Sequence, residues 1–126
     1  MVDKRIIADP TSHYGSPKGA TRGFVTQRLT GALNVLFLGF LVWLVVRLAG
    51  SAREEMVAVV ANPFVAIVLA LLILNVAVHM RIGMREIIED YLADRTKRLA
   101  LTVNDIFALG VGLLSLISLI KIVFWG

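Results

Sequence analysis

Residues 62–91 read NPFVAIVLALLILNVAVHMRIGMREIIEDY, and this stretch decides the fold. Asn62-Pro63 has the chemistry of a helix start. The asparagine oxygen can accept from a free backbone N–H, and a proline at the first helical position removes an N–H that would have no partner there. The pair interrupts an uncharged run that extends from Met56 to Met80, so a span beginning near Pro63 is expected. His79 lies at the end of that run and is the only histidine in the hydrophobic two-thirds of the chain. An ionisable ring at a membrane boundary usually has a function.

Outward from this stretch, two further runs have the same character. Leu29 to Val46 contains 18 residues without a charge, close to what crosses a hydrocarbon layer of roughly 30 Å at about 1.5 Å per residue. The third run is uncharged from Ile106 to Ile120, and Lys121 can snorkel at one end while Asn104 and Asp105 lie at the other interface. The expected architecture is therefore all-α, an integral membrane protein with three transmembrane helices at about residues 29–49, 60–90 and 99–125. Residues 1–27 form a cytoplasmic N-terminal arm, extended over Asp9 to Gly23, and residues 28–126 the transmembrane domain. Ser51-Ala52-Arg53-Glu54 matches a capping box and predicts a short interfacial helix before the second span.

Composition agrees. The chain is 58% hydrophobic with mean hydropathy +0.82, more apolar surface than a 126-residue soluble domain can hide. It has no cysteine, which excludes disulfides, thiolate metal sites and iron–sulfur ligation by this chain. The net charge of +4 comes from basic residues that flank apolar runs, not from a stripe interleaved with aromatics, so no nucleic-acid partner is expected. Of the 13 Lys and Arg residues, ten precede the first span or lie in the 81–98 connection. By the positive-inside tendency these segments face the cytoplasm, and membrane lipids are the surrounding solvent. No cleaved signal is expected in MVDKRIIADP, because the first long apolar run begins only at Leu29.

If the second span continues as helix beyond the membrane surface, Gly83, Glu86 and Asp90 fall within about 40° of His79, with Tyr91 beside them. A glycine one turn from a histidine leaves room for a flat macrocycle, and a neutral imidazole can ligate haem iron through one nitrogen. The plainer alternative is an interfacial His79 bonded to a carbonyl or water, with Gly83 allowing close helix packing. Only one histidine lies at membrane depth, and His13 is in the polar arm. A two-histidine haem would need its second ligand from another chain. Tyr91 can donate a hydrogen bond to a ligand carbonyl, and Asp90 can help deliver protons. Arg28 opens the first span as a topological anchor, and at that depth can also pair with a carboxylate. Arg47 and Lys121 read as snorkelling cations. Asn34 and Asn75 read as helix-to-helix bonds, and Asp105 as a cap or interface acid.

His79-Met80-Arg81-Ile82-Gly83-Met84, Asp90-Tyr91, Arg28-Leu29-Thr30 at the first span and the terminal Trp125-Gly126 together resemble the hydrophobic membrane anchor of succinate dehydrogenase, complex II. The resemblance covers nearly the whole chain and is weakest in the N-terminal arm. It implies that His79 is an axial ligand of haem b, with the other ligand from the partner anchor, the cytochrome b subunit of the same complex. It implies that Tyr91 contacts ubiquinone, that Asp90 belongs to the quinone site or its proton path, and that Arg28 pairs with a haem propionate. The implied partners are a flavoprotein, an iron–sulfur protein and the cytochrome b anchor, held at the cytoplasmic face of a bacterial inner membrane. The implied reaction is quinone reduction with electrons from succinate, whose oxidation happens in the partners. The rival expectation is a small three-span structural or transport protein without cofactor. A transporter should carry an acid inside a span, whereas the acids here sit at span ends.

Overall fold

The computed structural model describes residues 17–126. All the described regular structure is helical: α1 (Pro17–Leu48), α2 (Arg53–Ala61), α3 (Pro63–Tyr91) and α4 (Asp94–Trp125). Helices α1, α3 and α4 are long and apolar enough to cross a membrane, and the expected three-span architecture with a short helix before the second span is what forms. His13 and the basic residues Lys4 and Arg5 lie outside the described residues.

Helix α1 begins earlier than the sequence suggested. It starts at Pro17, so the last part of the expected arm, including Gly23, is helical and not extended. The reason is local: proline has the helical φ already set, and after Pro17 no further proline occurs before Pro63 to stop propagation. Thirty-two helical residues rise about 48 Å, well beyond the hydrocarbon thickness, so one end of α1 must extend past the apolar layer.

The turns show why the helices stop where they do. Gly50 takes φ 77°, the left-handed conformation that ends a helix without a Cβ clash, and Ser51 N–H donates to the Leu48 carbonyl at 3.0 Å. The expected capping box does not form. Ala52, not Ser51, is the N-cap of α2 and makes no side-chain cap bond, because the glycine turn has taken Ser51 into the end of α1. Glu54 and Glu55 in the first turn complement the helix dipole instead, and Arg53 Nη2 donates to the Gly126 carbonyl at 2.9 Å, tying α2 to the far end of α4. The second start signal is realised as read. Asn62 Oδ1 accepts from Phe64 N–H at 3.0 Å, with Pro63 opening α3.

Helix α3 is the middle element, packed against α1 on one side and α4 on the other. Only Leu92 and Ala93 separate α3 from α4, so the two run antiparallel. Their seam uses small residues. Ala108 is buried, and a Cβ added to Gly112 would stand 3.4 Å from Cβ of Ala77. Among the described residues the buried apolar side chains are few: Leu44, Val65, Ile88, Ala108 and Leu119. In the most apolar window of each span only 11% is buried, which leaves most of the apolar surface for lipid and for partner helices.

Candidate functional site

Between α1 and α3 runs a ladder of polar contacts inside otherwise apolar helices. Asn75 Nδ2 donates to the Thr30 carbonyl at 2.9 Å and also to Asn34 Oδ1. One turn further along α3, His79 Nδ1 lies 3.0 Å from Thr30 Oγ1. A turn beyond that, Gly83 faces Gln27. Each step of four residues along α3 matches a step of three or four back along α1, which is how antiparallel helices keep their facing positions in register. Thr30 and Asn75 are 7% and 9% exposed, so this seam excludes solvent and its polar groups need internal partners.

The surroundings of His79 decide what its ring can do. Thr30 Oγ1 lies 2.8 Å from the Thr26 carbonyl and 3.2 Å from the Gln27 carbonyl, the back-bonding geometry of a threonine inside a helix. Gly31 also faces the ring, where a Cβ would be 3.5 Å from Cε1 and 4.0 Å from Nδ1. Among the described residues nothing hydrogen-bonds to Nε2. A half-buried imidazole with Nδ1 held and Nε2 free is the arrangement of an iron-ligating histidine, so the residues present fit a haem ligand. No group of three His, Asp or Glu that could hold a metal ion exists among the described residues.

Of the two readings of Gly83, room for a macrocycle and close helix packing, the contact beside it favours packing. A Cβ there would approach Gln27 Nε2 to 3.0 Å, so the space beside Gly83 belongs to the α1 side chain and serves close packing of α1 on α3. The room beside the imidazole comes from Gly31. Gln27 Oε1 is buried without a hydrogen-bond partner among the described residues, an acceptor that calls for a donor from water, ligand or partner chain.

The other expected residues stand apart from the seam. Helix α3 is continuous to Tyr91, so the stripe from His79 through Glu86 to Asp90 exists as one helical face. Tyr91 is 82% exposed and Asp90 is exposed, twelve residues or roughly 18 Å along the axis from His79. Arg28 is exposed on α1, and its guanidinium stacks over the Phe24 ring at 4.8 Å from the centroid. No carboxylate pairs with it among the described residues. Of the two readings of Asp105, a cap or an interface acid, the cap is ruled out because the residue lies inside α4. It accepts from Arg81 Nε at 2.7 Å across α3 and α4, while buried Asn104 donates to the Arg81 carbonyl at 3.0 Å. That pair closes one end of an apolar groove of about 430 Å³ between α3 and α4, floored by Ala108 and Gly112.

Gln27, Thr30 and Gly31 were not singled out as site residues by the sequence reading. Their signal was present: Gln27, Thr30 and Asn34 recur at helical spacing on one face of the first span.

Three apolar spans with a polar seam that leaves one imidazole nitrogen free define a multi-pass, all-α membrane protein built to work beside other chains. The family model for the succinate dehydrogenase/fumarate reductase transmembrane subunit matches residues 2–120, and the chain belongs to that family. It is thus a membrane anchor subunit of such a complex and associates with the complex's other subunits. No curated protein and no solved structure matches the chain.

Proposed function

We propose that this chain is the anchor of a succinate:ubiquinone oxidoreductase that supplies one axial ligand of haem b and part of the ubiquinone-reduction site. The observation that carries the reading is the engaged Nδ1 and free Nε2 of His79. The haem would supply a one-electron relay between the incoming electrons and the quinone. His79 would hold the iron, and since it is the one histidine among the described residues, a second histidine ligand would come from the cytochrome b anchor. The resemblance in the Arg28-Leu29-Thr30 segment assigns Arg28 to a haem propionate. The guanidinium is exposed and stacked only on Phe24, which leaves its N–H groups available for a carboxylate.

At the end of α3, the exposed Tyr91 phenol donates to a ubiquinone carbonyl, and Asp90 passes protons from water to the site. Both lie on the side that the distribution of Lys and Arg makes cytoplasmic, where an iron–sulfur protein delivers electrons taken from succinate by a flavoprotein. The membrane is the bacterial inner membrane, with the N-terminus in the cytoplasm. The basic 81–98 connection and the N-terminal arm provide the docking charge for the two soluble proteins.

The test is His79→Ala in the assembled complex. The b-type absorption should be lost or strongly reduced while oxidation of succinate with a soluble artificial acceptor persists. Unchanged haem absorption would remove His79 from ligation.

A further inference from the structure

The hydroxyl of Thr30 can serve the imidazole in only one way. A hydroxyl has a single proton, and the carbonyls of Thr26 at 2.8 Å and Gln27 at 3.2 Å both lie within hydrogen-bond reach to accept it. Back-bonding to the i−4 and i−3 carbonyls is also what stabilises threonine rotamers inside a helix. With its proton so placed, Oγ1 turns lone pairs toward His79 Nδ1 at 3.0 Å and can only accept. A neutral imidazole has one N–H, so that proton sits on Nδ1 and the lone pair on Nε2. The reverse tautomer would set two acceptors against each other in a seam where Thr30 is 7% exposed, which costs free energy.

Three further contacts keep this arrangement rigid. Asn75, one turn before His79 on α3, donates to the carbonyl of the same Thr30 at 2.9 Å, so α3 grips that residue by backbone and side chain together. Asn34 accepts from Asn75, which fixes the amide orientation. Gly31 presents no side chain to the ring, so the α1 backbone can approach closely enough for Thr30 to reach Nδ1.

We infer that Thr30 is a positioning residue that selects the Nδ1–H tautomer of His79 and, by accepting from it, lowers the reduction potential of the haem that His79 ligates. The inference rests on the proposed ligation by His79. The physical reason is charge. A hydrogen bond accepted from Nδ1–H moves electron density toward Nε2, makes the imidazole a stronger donor and favours ferric over ferrous iron. The effect needs the hydroxyl oxygen and not the methyl group.

The experiment compares Thr30→Val, which keeps the shape and removes the acceptor, with Thr30→Ser, which keeps the hydroxyl, in the assembled complex. Thr30→Val should raise the haem midpoint potential in a redox titration of the b band and weaken haem retention on the order of 10- to 100-fold. Thr30→Ser should return both toward the original values. A Thr30→Val complex that titrates as the original does, while His79→Ala loses its haem, overturns the role of Thr30 and leaves ligation standing. Retention of haem absorption by His79→Ala overturns the ligation itself. A readout independent of any Thr30 substitution is the ¹⁵N spectrum of the full chain without haem, labelled at histidine, at alkaline pH. A protonated Nδ1 at His79, identified by its absence from His79→Ala, is expected; a protonated Nε2 overturns the inference.

Discussion

The proposed quinone contact can be tested apart from the membrane span, because it rests on a single side chain at the end of α3. Tyr91 is 82% exposed on the last turn, so replacing it removes no packing. Tyr91→Phe deletes only the phenolic hydroxyl. The expected outcome is about a tenfold fall in quinone reduction, the loss of one hydrogen bond worth roughly 1.4 kcal/mol, with succinate oxidation by a soluble acceptor unchanged. Parallel steady-state assays with ubiquinone and with the artificial acceptor measure the two rates. An equal fall in both would point to failed assembly and not to a lost quinone contact. Haem content should be unaffected as well, because Tyr91 stands roughly 18 Å along the helix from His79.

Among the elements, the α1–α3 seam carries the most information, and it divides what was legible in the sequence from what was not. The start of α3 was legible because Asn62-Pro63 is local chemistry, and the long spans were legible because uncharged runs of that length have few alternatives. The role of Ser51 was misread because a cap depends on where the preceding helix ends, and Gly50 at φ 77° carries Ser51 into that turn. Gly83 was placed on the correct face, but no spacing rule reveals that Gln27 from another helix fills the space beside it. His79 was found from its type and depth, whereas its partner Thr30 lies 49 residues away in sequence and only packing brings them together. The seam's polar bonds predict a measurable stability. Asn75→Leu leaves the Thr30 carbonyl and Asn34 Oδ1 without their donor in a site where Asn75 is 9% exposed. Interhelical hydrogen bonds in membranes are worth about 0.6 kcal/mol each on average and up to about 1.7. Two of them lost together should cost roughly 1–2 kcal/mol, seen as a lower thermal midpoint of the detergent-solubilised complex and faster loss of haem on heating. An unchanged midpoint would mean that the seam does not hold α1 on α3.

At the scale of the whole molecule, the arithmetic of ligands and surfaces leads to one conclusion. Buried apolar side chains are few among the described residues, and most of the apolar surface of each span is left uncovered by the chain itself. Lipid can cover such a surface, but lipid cannot supply a second imidazole. Among the described residues the chain offers one histidine, His79 on α3, with no hydrogen bond to its Nε2. A six-coordinate, two-histidine haem therefore requires another polypeptide, and membership of the succinate dehydrogenase/fumarate reductase transmembrane family makes a neighbouring member of the complex the natural source. The chain expressed alone should show no low-spin six-coordinate haem spectrum, and co-expression with the second anchor should restore one at one haem per pair. Absorption and electron paramagnetic resonance spectra of the two preparations decide the matter. A low-spin spectrum from the chain alone, at one haem per two copies, would replace the heterodimeric site by a homodimeric one in which His79 serves from both sides.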